Sequence, residues 1–229
     1  MTIKVSGLRD GDNIHEVSKL GVDWIGMVFC ADSPRNVTMI PTHAGIIPDK
    51  ADLSKLTTHQ SPKRVGVFTD EMAQNIITRV VNFSLHFVQF DGRETPTLIR
   101  NLRRSIDPGY YGDTSEKHPI SGGIQFIKTI HTEDSEGISA CQQYEDCVDY
   151  FLFSLPNDDN DKQFVLNQLA HYEHCKPFLL GGSITSQDAA LIRSFSHPLF
   201  KGVDLSTHFE SSPAVIDVPL LDSFISQLR

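Results

Sequence analysis

The chain has 229 residues, enough to bury one sizeable core, and its 39 % apolar and 21 % charged residues exclude the disordered, collagen-like and disulfide-scaffold classes. Its 20 Lys+Arg stand against 29 Asp+Glu, a formal charge of −9 that repels phosphate polymers and anionic surfaces, so neither nucleic acid nor membrane is an expected partner. No apolar run approaches the roughly 18 residues of a membrane helix, and the opening MTIKVSGLRDGD lacks the apolar stretch of a secretory signal. Cys30, Cys141, Cys147 and Cys175 show no C-x-x-C spacing; the expectation is reduced thiols in a cytoplasmic protein, with no metal.

Short apolar runs alternate with helix-length segments along the whole chain. The first run is Ile3 to Ser6, and the following Asn13 to Leu20 sets Ile14, Val17 and Leu20 at helical spacing before Gly21. After Trp24 to Phe29 comes a stretch from 43 to 58 that reads as an irregular helix interrupted by Pro48. Arg64 to Phe68 is followed by Met72 to Phe83, with Met72, Ile76, Val80 and Phe83 on one face. Next are His86 to Phe90 and a helix entered through Thr95-Pro96, an N-cap with proline at the first helical position. Asp107 to Gly122, with its prolines and glycines, reads as a loop or lid. Ile124 to Ile130 and Tyr150 to Ser154 are runs five and six, with Pro156 to Asp161 a short polar loop. Phe178 to Leu180 precedes a variant capping box at Thr185 and Asp188, and Gly202 to Leu205 precedes a last helix after Pro219.

Eight apolar runs separated by helical segments predict an α/β protein, a single (β/α)8 barrel over residues 1–229. An open doubly wound sheet is the alternative, though no G-x-G-x-x-G follows the first run. In a barrel the ligand site lies at the C-terminal strand ends. Gly181-Gly182-Ser183 and the segment Gly202 to Thr207 close runs seven and eight, where glycines admit an anion to the backbone N–H groups. Gly182, Ser183, Ser206 and Thr207 are the candidate phosphate cradle, although such glycines also serve simple tight turns. Arg35 could meet a carboxylate or phosphate through its guanidinium fork.

Taken together, several segments resemble the phosphoribosylanthranilate isomerase family of tryptophan biosynthesis. They are Lys4-Val5-Ser6-Gly7-Leu8-Arg9, Gly21 to Gly26 with Phe29 and Ser33-Pro34-Arg35, Gly66-Val67-Phe68, Val88-Gln89-Phe90-Asp91-Gly92, Asp149 to Phe153, Pro177 to Ile184 and Gly202 to Pro213. The resemblance implies a (β/α)8 fold, a monomer or homodimer, and an Amadori rearrangement of N-(5-phosphoribosyl)anthranilate that needs no redox cofactor or metal. It implies a small anionic phosphorylated metabolite as partner, with Arg35 for its carboxylate.

The chain departs from the family where the chemistry is done. Ser6 stands where the family has its general-base cysteine, and Ser154 where it has its general-acid aspartate. A cysteine ionises near pH 8.5, whereas a serine hydroxyl holds its proton at neutral pH, so the exchange removes the accessible base. A glycine-rich segment gives way to Pro156-Asn157-Asp158-Asp159-Asn160-Asp161, and Asp91 matches a histidine. Two kinds of function follow as expectations. One is a diverged isomerase, weak or inactive, in which Asp91 could replace a lost carboxylate. The other is a noncatalytic binding or regulatory barrel, a pseudoenzyme, or a different enzyme on the same scaffold.

Overall fold

Residues 1–38, 41–42, 45–46, 62–106, 123–134 and 137–229 are described by a computed structural model of the chain. Eight parallel strands form the barrel wall: β1 (Thr2–Ser6), β2 (Trp24–Val28), β3 (Lys63–Phe68), β4 (Phe87–Phe90), β5 (Gln125–His131), β6 (Tyr150–Leu155), β7 (Phe178–Gly182) and β8 (Phe200–Leu205). They pair in sequence order, and β8 returns to β1 through Ile3 opposite Val203 and Lys4 opposite Asp204, which closes the ring.

Alternation along the strands divides their side chains into two sets. Ile3, Val5, Met27, Phe68, Phe90, Phe126, Phe151, Phe153 and Phe178 belong to the core cluster shared with the helices. A second cluster of Trp24, Val65, Val67, Phe87, Ile127, Leu152 and Leu179 fills the barrel, with Trp24 and Phe87 ring centroids 4.1 Å apart. Because both faces are apolar, these strands carry no polar–apolar alternation in the sequence.

The helices are α1 (Gly11–Lys19), α2 (Ala73–Asn82), α3 (Pro96–Ile106), α4 (Asp159–Leu169), α5 (Ala189–Ser194) and α6 (Val218–Leu228), with 3₁₀ turns at Gly137–Gln143 and Thr207–Phe209. Their starts follow from side-chain caps: Asp10 accepts from the Asn13 N–H at 2.9 Å and Asp217 from the Leu220 N–H at 3.0 Å. Thr95 Oγ1 accepts from Leu98 at 3.3 Å, as its position before Pro96 predicts. No helix among the described residues is long and apolar enough to cross a membrane.

Two sequence expectations are corrected. Pro156 to Asp161 is a loop only in its first half: Asp158 is the N-cap of α4, accepting from Asn160 and Asp161, and the helix starts at Asp159. Its three acidic residues hid the start, because they read as solvated loop charge rather than as a cap and first turn favoured by the helix dipole. Within the helix expected over 43–58, Gly45–Ile46 pair as a short strand with Pro41–Thr42. The rest of that segment, and the lid read at Asp107 to Gly122, lie outside the described residues.

Candidate functional site

The C-terminal strand ends enclose a cavity of about 280 Å³. It brings together Ser6 from β1, Arg35 after β2, Asp91 after β4, Ser154 from β6, Gly182 from β7 and Ser206 and Thr207 after β8. Ser183 does not line it; its hydroxyl donates to Asn157 Oδ1.

Ser6 is embedded in a buried ionic cluster. Lys4 Nζ donates to Asp204 Oδ2 at 2.6 Å and to Ser6 Oγ at 2.5 Å, while the Ser6 hydroxyl donates to Asp204 Oδ1 at 2.7 Å. Barrel closure creates this cluster, because Lys4 and Asp204 face each other in the β1–β8 ladder. Ser6 needs Gly26 opposite it, since a Cβ there would overlap the serine oxygen. The hydroxyl proton is therefore committed to Asp204, and the carboxylate is shared with an ammonium.

Across the mouth, His131 sits opposite Ser154 in the β5–β6 ladder, and its Nε2 lies 2.9 Å from the carbonyl oxygen of Asp91. A carbonyl only accepts, so Nε2 carries a proton; in the neutral ring Nδ1 holds the lone pair. His131 directly follows the fifth apolar run, Ile124 to Ile130, and that place is the sequence signal that marks it as a mouth residue. Among the described residues no group of three His, Cys, Asp or Glu could hold a metal ion. Gln89, 3 % exposed on the cavity floor, donates to Thr129 Oγ1 at 3.1 Å, and its Oε1 has no hydrogen-bond partner among the described residues. Such a buried acceptor suits a ligand hydroxyl or amine.

The anion-binding groups are partly spoken for. Arg35 forms a two-pronged ion pair with Glu210, Nε to Oε1 at 2.6 Å and Nη2 to Oε2 at 2.5 Å, which raises the guanidinium pKa above its ordinary value through that hydrogen bond. The α4 N–H groups of Asn160 and Asp161 are occupied by Asp158. Gly182 has φ +77°, and a Cβ on it would lie 2.6 Å from the Leu155 carbonyl and 2.7 Å from Ser154 Oγ. Glycine is thus required there by the approach of β7 to β6.

These features define a (β/α)8 barrel with a ligand-sized cavity at the strand C-termini. No family model matches the chain, but it is 32 % identical over 231 residues to the N-(5'-phosphoribosyl)anthranilate isomerase of Parabacteroides distasonis, covering all of this chain and 93 % of that protein. The chain belongs to the N-(5'-phosphoribosyl)anthranilate isomerase family. Its fold matches that of the Thermotoga maritima enzyme with a TM-score of 0.73 at 19 % identity, over all of this chain and 98 % of the other. A phosphoribosyl anthranilate isomerase in complex with reduced 1-(o-carboxyphenylamino)-1-deoxyribulose 5-phosphate gives 0.72 at 18 %, with the same coverage.

Proposed function

We propose that the barrel mouth binds a small phosphorylated metabolite and turns over N-(5-phosphoribosyl)anthranilate slowly or not at all. The Ser6 hydroxyl carries this reading. To take a proton from substrate carbon, its oxygen would have to pass its own proton to Asp204, a carboxylate already engaged by Lys4. Ser154 likewise has no carboxyl proton to give. Phosphate would be held beside Gly182 by the hydroxyls of Ser206 and Thr207, weakly, because the Ser183 N–H is already given to the Leu155 carbonyl at 3.1 Å and the neighbouring Asp158, Asp159 and Asp161 oppose an anion. On this reading the chain is a binding or regulatory barrel derived from an isomerase.

A second reading keeps the catalysis and gives Asp91 the lost carboxylate role; in its favour, Asp91 lines the mouth beside Gln89, whose Nε2 is 3.5 Å from Asp91 Oδ1. One experiment separates the two. The double variant Ser6→Cys/Ser154→Asp should gain turnover strongly over the wild type, because a positioned acid and base each contribute roughly 10²–10⁴-fold, and either single variant should gain little. Wild-type turnover of about 1 s⁻¹ or faster, abolished by Asp91→Asn, would replace the first reading with the second.

A further inference from the structure

The side chains lining the mouth that can carry charge are Cys30, Arg35, Asp91, His131 and Asp204. Two of them are already balanced, Arg35 by Glu210 and Asp204 by Lys4. Asp91 makes no ion pair among the described residues, so with a neutral His131 ring the mouth holds one unbalanced carboxylate. That carboxylate repels an entering anion. Loss of a proton from Cys30 only adds negative charge, which leaves His131 as the one lining group that can supply positive charge by taking up a proton near neutral pH.

His131 is held ready for this. Its Nε2–H is given to the Asp91 carbonyl at 2.9 Å, which fixes the ring and leaves Nδ1 without a hydrogen-bond partner among the described residues. The ring lines both the mouth and a second cavity of about 370 Å³ beside it, so it can be reached from two sides. The end of β5 is pinned to its neighbours, for Thr132 Oγ1 donates to the Ser154 carbonyl at 2.7 Å and Lys128 Nζ to the Gly92 carbonyl at 2.5 Å. His131 stands opposite Ser154 on β6, which in turn stands opposite Gly181 on β7. Two strand spacings of about 4.8 Å put the ring roughly 10 Å from the cradle beside Gly182, within reach of a bound phosphate's charge.

The charged groups facing the ring come from three places. The β4 loop brings Asp91 and Arg93, and the segment after β5 brings Asp134. Beneath them, Lys128 and Glu94 are buried and neutralise each other. β6 presents the uncharged Ser154, and the 3₁₀ turn Gly137–Gln143 lines the second cavity with uncharged side chains.

We infer that His131 is a ligand-binding residue of the mouth and that a phosphorylated ligand binds there together with a proton taken up at Nδ1. This deepens, and rests on, the phosphate placement proposed above. The neutral ring offers an anion only a lone pair at Nδ1, whereas the protonated ring offers a donor and a charge that balances Asp91. A bound anion therefore raises the proton affinity of the ring. By linkage, affinity is highest below the range in which imidazole titrates and falls as pH rises through it.

Calorimetry with ribose 5-phosphate at pH 6, 7 and 8, in two buffers of different ionisation enthalpy, tests this on the wild type, His131→Gln and His131→Lys. At pH 6 the wild type should bind about 3- to 10-fold more tightly than His131→Gln, and at pH 8 the two should agree within twofold. His131→Lys, charged throughout, should keep a constant advantage over His131→Gln. The ligand's own ionisation is common to all three proteins and cancels in these ratios, and unchanged urea midpoints show that the variants fold. A ratio of wild type to His131→Gln that does not vary with pH, or equal proton uptake by the two, overturns the inference and leaves the phosphate reading standing. A pH-dependent ratio that persists while Ser206→Glu leaves binding unchanged overturns the phosphate placement and leaves the proton coupling standing. No binding by the wild type at any of the three pH values overturns both.

Discussion

Lys4, Ser6 and Asp204 form a unit that no single residue explains. The ammonium and carboxylate are both buried, so each offsets the desolvation cost of the other only while both are present. Lys4→Met should therefore cost about 3–5 kcal/mol in urea unfolding, because it strands the Asp204 charge. Lys4→Met/Asp204→Asn, which removes both charges, should recover a large part of that loss. A double variant no more stable than Lys4→Met would mean that Ser6 and the surrounding packing, rather than charge pairing, hold the cluster. Ser6 and Ser154 were legible from the strand pattern and the family resemblance, since a strand end is a local feature. The partner of Ser6 was not, because Asp204 lies 198 residues away and reaches it only when the ring closes. Arg35 shows the same limit: its fork was legible, but not that Glu210, 175 residues on, fills it.

At the scale of elements, α4 and α5 are tied by one buried contact, Lys162 Nζ to Asp188 Oδ2 at 3.0 Å. Burial pushes the Asp188 carboxyl pKa up, but the Thr185 N–H, Lys162 and the Thr185 hydroxyl outweigh it and hold the group below the ordinary carboxylate value. A depressed folded-state value means that the unfolded chain takes up the proton first as acid is added. The stabilisation by ionised Asp188 is thus fully present at neutral pH and declines once pH falls below about 4. The advantage of the wild type over Asp188→Asn should shrink over that acid range, and a gap that stays constant would show that Asp188 acts through its shape. The half of the capping box seen in the sequence is real, for Asp188 accepts from the Thr185 N–H at 2.7 Å, yet α5 begins only at Ala189. The start of α4 is a second case. Asp158→Ser keeps a capping oxygen and removes a charge, so it should leave stability within about 1 kcal/mol while tightening ribose 5-phosphate binding at the cradle.

For the molecule as a whole, the sequence carried the barrel well: the eight apolar runs correspond to β1 to β8 within a residue or two at each end. Spacing alone did not separate a closed ring from an open sheet; the decisive fact is the β1–β8 ladder from Thr2–Gly202 to Val5–Leu205. Closure of this kind makes the barrel's stability a property of the whole ring, and the four cysteines offer a way to read it. Cys141 and Cys147 are fully buried, Cys30 lines the mouth and Cys175 is exposed. Burial pushes the Cys147 thiol up to about 11 and Cys141 higher still, so neither presents a thiolate at neutral pH while the chain is folded. Native protein treated with iodoacetamide near pH 8 should label at Cys175 and, more slowly, at Cys30, with ligand in the mouth protecting Cys30. Labelling of Cys141 and Cys147 should be slow, equal at the two sites, and accelerated by urea with the same dependence as global unfolding, because both lie in the core that the helices share with the barrel. Rapid labelling at either site without urea dependence would show instead that the segment between β5 and β6 opens on its own. Since Tyr144 of that segment braces the Asp91 to Glu94 loop through the Glu94 carbonyl, such opening would loosen that loop while the ring stayed closed.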